Sequence, residues 1–319
     1  MSSLSSQTIA VVGATGHQGS GVVASLLSST PFNVRAITSN PSSAAAEELL
    51  RKHSVAVKSG RLTIVEGNLT DRASLEKALE GAHGLFAAWL SRGDELAEGK
   101  TLVDAAKSAG VAHFVYSSLP SLAEASYGKC TGVGEFDDKA AVAKYAEEHL
   151  PSVTLLFAGV FFENLTMPLY AYRAKDGTAT FRTPINPIKP FQWVDESHDV
   201  GVYAAAVFSK GARAMADKCF PVESEPITVV QLAKEYEVLS GEKAVVETAP
   251  PETLLKLAGL PEARQRMLAE MYNYLNLPDV PTGLAYGTLK KNTSFADLRV
   301  QASTFEEWVK RTGFRVGEK

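Results

Sequence analysis

The chain has 319 residues, 45% of them apolar and 21% charged, with a formal net charge of −4. Its slight acidity and lack of basic runs argue against nucleic acid as a partner, and no apolar stretch reaches the length of a membrane span. The length suits a larger and a smaller unit around a shared cleft. The N-terminal MSSLSSQT has neither the basic start nor the apolar core of a signal peptide. Cys130 and Cys219 lie far apart outside any CxxC spacing, and the six histidines show no metal-ligand pattern. The expectation is a cytoplasmic protein with reduced thiols, one long-range disulfide being the alternative, with no metal, and a monomer or homodimer.

Apolar, β-branched runs at residues 9–12, 34–38, 62–65, 84–88, 113–117 and 153–157 alternate with helix-like segments beginning near His17, Ser42, Asp71, Asp94 and Glu135. Continuously apolar strands separated by helices predict a parallel sheet covered on both faces, a doubly wound α/β fold of the Rossmann type. Asp71 is a good N-cap and Gly81 a helix stop. Beyond residue 157 the rhythm changes. FFENLTMPLYAYRAKDG predicts a helix stopping at Asp176–Gly177, and the proline-rich RTPINPIKPFQW predicts loop or edge strand. Helical patterns return over 199–210, 228–240, 251–260, 261–277 and 304–312. The division expected is a nucleotide-binding domain over 1–157 and a smaller, mostly helical substrate domain over 158–319. Residues around 194–210 are expected to pack back on the first domain.

The most informative stretch is AVVGATGHQG, where a strand-like run becomes a helix-like one across Gly13, Gly16 and Gly19. Gly13 suits a tight turn, Gly16 lets backbone N–H groups approach a pyrophosphate, and Gly19 lets the new helix press against the sheet. The spacing differs from G-x-G-x-x-G, and the alternative is a glycine-rich turn without a ligand; the strand before, the helix after and five further alternating units favour a dinucleotide. His17 either faces the phosphates or is an exposed helix-start residue. The second strand ends in VRAITSNP, where an acid would bind the ribose of NAD and an arginine the extra phosphate of NADP. Thr38, Ser39 and Asn40 are neutral, which favours NADP with NAD still possible, and Arg35 inside the strand reads as structural.

Together GATGHQG, VRAITSNP, FDDKAAVAKY and FFENL resemble the NmrA-like branch of the atypical short-chain dehydrogenases, which in turn resembles the isoflavone-reductase-like enzymes. The likeness runs in order along nearly the whole chain. It implies a Rossmann domain binding NADP or NAD, in a family that includes both reductases and redox-sensing regulators. By this resemblance Gly13, Thr15, Gly16, His17, Gln18 and Gly19 form the pyrophosphate loop, and Ser39 stands where an arginine is usual. Asn68 and Leu69 border the adenine. Ala87, Ala88 and Trp89 follow strand four, Ser117 and Ser118 end strand five, and Lys139 reaches the nicotinamide ribose. Phe161, Phe162 and Asn164 line the nicotinamide pocket.

The tyrosine of the classical dehydrogenases would lie four residues before Lys139, where this chain has Glu135. A proton donor is still needed for carbonyl reduction, which leaves Lys139, a tyrosine such as Tyr127, or water. The alternative for Lys139 is a surface lysine paired with Glu135. Asp195, Ser197 and Asp199 read as caps before an apolar helix rather than as acid–base groups. Met267, Met271 and the Tyr274–Leu275 pair fall near one helical stripe, either core or the lining of an adaptable pocket. Trp89, Phe161, Phe162, Met167, Trp193 and Met271 make a small hydrophobic, aromatic substrate the expectation. The leading function is an NAD(P)H-dependent reductase of a carbonyl, quinone, imine or enone; the alternatives are a nucleotide-sensing regulator and an isomerase or cyclase.

Overall fold

A computed structural model describes residues 7–91, 93–277, 280 and 298–318. Six strands, β1 (Thr8–Val12), β2 (Asn33–Thr38), β3 (Leu62–Glu66), β4 (Gly84–Ala87), β5 (His113–Ser118) and β6 (Val153–Ala158), alternate with helices. The principal helices of this half are α1 (His17–Ser29), α2 (Ala44–Lys52), α3 (Ser54–Lys58), α4 (Arg72–Leu79), α5 (Glu95–Ser108), α6 (Leu122–Ala125) and α7 (Gly134–His149). The sheet is wholly parallel, in the order β3-β2-β1-β4-β5-β6 with one further strand beside β6. Successive residues of a strand face opposite sides, and β1 shows it: Ala10 and Val12 enter one core, Ile9 and Val11 the other. Both faces are therefore covered, as a parallel sheet requires. Asp71 caps α4 by accepting from the Ser74 N–H, and Asp94 caps α5 by accepting from that of Ala97.

The second half departs from expectation at three places. Residues 160–183 form no long helix but β7 (Val160–Phe161), a 3-10 turn over Phe162–Thr166, β8 (Ala171–Arg173) and β9 (Ala179–Thr183). Pro168 interrupts helical hydrogen bonding, and Asp176–Gly177 forms a hairpin turn, with Gly177 at φ 87° and the Asp176 carboxylate accepting from the Thr178 N–H. A seventh parallel strand, β11 (Lys218–Val222), joins the main sheet beside β6, after β10 (Trp193–Val194) has paired with β7. As an edge strand β11 tolerates Pro221. A third strand, β12 (Ala244–Thr248), completes a small sheet with β9 and β8, so the C-terminal part is not helical alone.

Helix α8 (Asp199–Lys210) packs back onto α1, and the fit depends on two glycines. A Cβ at Gly21 would lie 1.6 Å from the Ser197 carbonyl oxygen, and one at Gly201 would lie 2.4 Å from that of Gly21. The remaining helices are α9 (Ala212–Met215), α10 (Val229–Ser240), α11 (Pro251–Leu257), α12 (Glu262–Leu275) and α13 (Phe305–Thr312). Both α10 and α13 begin with a full capping box, Thr228 with Gln231 and Thr304 with Glu307.

Candidate functional site

The strand order reverses direction between β1 and β4, and at such a switch point the loops leaving the C-terminal ends of the strands open a crevice. The glycine loop, residues 13–19, leaves β1 there. Ser39 follows β2, Asn68 follows β3, Ala88 and Trp89 follow β4, and Ser117 and Ser118 close β5. Five separated stretches thus converge on one edge of one sheet.

Each loop glycine has a distinct constraint. Gly13 has φ 74°, and a Cβ there would lie 1.8 Å from the Ala88 carbonyl oxygen, so the loop is pressed against the end of β4. Gly19 meets the backbone of Gly13: its Cβ would lie 2.1 Å from the Gly13 carbonyl oxygen, so the close packing is with the loop itself rather than with the sheet. Gly16 differs. Its φ is −82°, open to any residue, and a Cβ would meet only the Gly13 carbonyl oxygen, at 3.3 Å. Gly16 is exposed and caps α1 without a side chain, and the first turn of α1 has no acidic residue. The space in front of Gly16, with N–H groups and a partial positive charge behind it, fits a pyrophosphate.

Around this loop the neutral residues stay available or bond locally. Ser39 is exposed, the Asn40 side chain accepts from the Ser42 N–H at 3.0 Å, and Asn68 accepts from the N–H and hydroxyl of Thr70. Thr15 and Leu69 are half-buried. Arg35 donates to the Ala78 and Glu80 carbonyls at 2.9 and 2.7 Å, a structural tie. Residues 195–199 behave as caps and more. The Asp195 carboxylate accepts from the His198 N–H and pairs with Arg311, while buried Asp199 accepts from the N–H groups of Asp195 and Ser303. They fasten the start of α8 to the C-terminal segment.

The partner of Lys139 is not Glu135, which pairs with Arg264 at 2.8 Å. The Lys139 ammonium pairs with Glu95, at the start of α5, and lies 5.7 Å from the centroid of the Trp89 ring. Glu95 is only 6% exposed, and burial pushes its carboxyl upward, opposed by Lys139. Trp89 also donates to Glu98 at 3.0 Å and stacks on Tyr116 at 5.4 Å, whose buried hydroxyl has no partner among the described residues. The Ser118 hydroxyl donates to the Lys139 carbonyl at 3.2 Å, tying β5 to α7. Ser117 is buried. Tyr127 is 91% exposed on a turn.

Two residues assigned to a substrate pocket belong instead to the core. Phe162 is fully buried, stacked within 5.8 Å of Trp193 and packed against Phe305 and Trp308. Trp193 is 7% exposed. Met167 is exposed, whereas Met271 is half-buried on α12 against the core. Phe161 and Asn164 are half-buried beside Glu163, a residue the sequence pattern did not single out. The Glu163 carboxylate accepts from the Glu196 N–H at 3.0 Å, and burial pushes its pKa to about 7. Glu196 in turn reaches the glycine loop, with one oxygen 3.1 Å from His17 Nδ1 and the other 3.3 Å from Gln18 Nε2.

The raised Glu163 sets a pH dependence. Its carboxyl holds a proton in the folded state over a range where the unfolded chain, with an ordinary value of 4.5, has lost it. Stability from this group is therefore full below that value and declines as pH rises towards about 7. Thermal melts between pH 5 and 8 should show wild type losing stability across this window, and Glu163→Gln losing less.

A sequence model described as the NmrA-like family matches residues 5–309. The chain belongs to the NmrA-like family. Among its relatives, the nitrogen metabolite repression protein nmrA of Emericella nidulans is 33% identical over 72% of this chain; the match spans 64% of that protein, less than two thirds of its length. An NmrA-like family domain-containing oxidoreductase of Aspergillus hancockii, hkm9, is 29% identical over 92% of this chain and 90% of its own. Crystal structures of NmrA, described as a negative transcriptional regulator, in complex with NAD and with NADP each superpose with a TM-score of 0.75 at 26% identity, covering 96% of this chain and 95% of that one. The NmrA-like family therefore contains proteins named for regulation and proteins named as oxidoreductases, on one Rossmann-type fold.

Proposed function

We propose that this NmrA-like chain is an NAD(P)H-dependent reductase of a hydrophobic, aromatic carbonyl, quinone, imine or enone. The observation that carries the reading is the placement of the Lys139 ammonium 5.7 Å from the Trp89 ring centroid, just past β4 on the same sheet edge as the open glycine loop, with Ser118 at the end of β5 holding the Lys139 backbone carbonyl. A bound NADPH supplies the hydride. Gly16 and the first turn of α1 would hold its pyrophosphate, and Lys139 its nicotinamide ribose. Lys139 also places positive charge where negative charge develops on a carbonyl oxygen, and it has a proton to give. Trp89 offers an apolar, half-buried face to an aromatic ring. Mixing the protein with NADPH and a panel of quinones and aromatic ketones tests this: the nicotinamide absorbance should decay with at least one of them.

A second reading, a nucleotide-sensing regulator, is favoured by one feature. Buried Glu95 cancels much of the Lys139 charge, leaving less net field for an oxyanion. The sensor binds dinucleotide but consumes none. On either reading Ser39→Arg, at an exposed position just past β2, should shift preference towards NADP by about tenfold, the worth of one charge-assisted phosphate contact. Calorimetric titration with both nucleotides checks this; an unmoved ratio places residue 39 away from the ribose.

A further inference from the structure

We infer that Glu196 is an internal competitor of the dinucleotide, a carboxylate that occupies the phosphate-binding side chains of the glycine loop and holds cofactor affinity down. The inference rests on the reading of that loop as the pyrophosphate site. The carboxylate bridges the first two residues of α1, His17 and Gln18, with one oxygen on each. Both donors stand in the first turn of the helix, where the aligned peptide dipoles favour negative charge. Among the described residues the buried carbonyl oxygen of the Gln18 amide has no partner, and the amide nitrogen bonds to Glu196.

The backbone beneath Glu196 is fixed independently of its side chain. The Glu196 N–H donates to Glu163, Asp195 pairs with Arg311, and the Ser197 carbonyl abuts Gly21 of α1. The side chain is thus presented from a rigid segment and can be changed without loosening it. Its hold is modest: His17 is 70% exposed, and solvent screens that pair. A pyrophosphate brought to the same donors meets a negative charge of the protein's own. It must displace the carboxylate or bind beside it against repulsion. The penalty falls on the pyrophosphate, which NAD and NADP share, and not on the adenosine.

The test is calorimetric titration of the full chain and its Glu196→Gln variant with NAD, NADP and adenosine. Removing the charge should tighten both dinucleotides by about tenfold, equally, and leave adenosine unchanged. Dinucleotide affinity that is unchanged or weaker in the variant overturns the inference, because Glu196 then serves to position His17 and Gln18. Equal tightening of adenosine overturns it as well, since the effect would not be at the phosphates. Wild-type affinity reports on the cofactor site itself, and the ratio of variant to wild type reports on Glu196.

Discussion

Gly16→Val is expected to abolish dinucleotide binding in a protein that stays folded, whereas Gly13→Val is expected to damage the fold. At Gly16 the backbone is in a region every residue adopts, and an added Cβ meets only one oxygen, at 3.3 Å. The new side chain would fill the space before the α1 N–H groups. Two lost hydrogen bonds to a charged group, each about 1.5–3 kcal/mol, amount to at least about a hundredfold in affinity. At Gly13 a side chain would have to accept φ 74° and a carbonyl oxygen 1.8 Å from its Cβ. A β-branched residue in that conformation costs about 1–3 kcal/mol before the backbone clash is counted, and the clash displaces the end of β4. Melting temperatures beside calorimetric affinities separate the two. Equal losses of stability in both variants would contradict the distinction.

Lys139→Ala is expected to lower kcat by about a hundredfold or more on a confirmed substrate, with a smaller loss of cofactor affinity. The buried partner complicates the experiment in a calculable direction. Removing Lys139 leaves Glu95 with an uncompensated charge, and breaking a buried pair from one side costs about 3–5 kcal/mol. Lys139→Arg keeps the charge opposite Glu95, so it should restore stability and binding while turnover stays low, a guanidinium being a poor proton donor at neutral pH. Steady-state kinetics and melts of both variants, with Glu95→Gln as a third, decide it. Wild-type turnover in Lys139→Ala would remove Lys139 from the chemistry.

What could be read from the chain alone is what short segments determine. The six strands of the first half, the cap at Asp71, the helix start near Asp94 and the glycine loop are each specified within about a dozen residues by apolar runs and turn chemistry. The hairpin at Asp176–Gly177 was hidden because Asp-Gly stops a helix and turns a hairpin equally well; the sheet partner β12 lies more than sixty residues on. The core role of Phe162 depends on Phe305 and Trp308, and that of Trp193 on Phe162, pairings that no local pattern signals. The same holds for charges. Glu95 is 44 residues from Lys139, and Glu196 is 179 from His17. A lysine four residues after a glutamate looks paired to it until the fold offers a buried carboxylate instead.

The most direct test of the account is transfer of deuterium from NADPH labelled at nicotinamide C4, incubated with the protein and the quinone and aromatic ketone panel. The account predicts loss of nicotinamide absorbance and deuterium in the reduced product, on carbon for a ketone or enone, with both signals lost in Gly16→Val. For a quinone, whose product exchanges the label with water, the absorbance decay is the readout. NADPH that binds with measurable affinity and yet is consumed with no member of the panel would contradict the reductase and leave the nucleotide-sensing regulator.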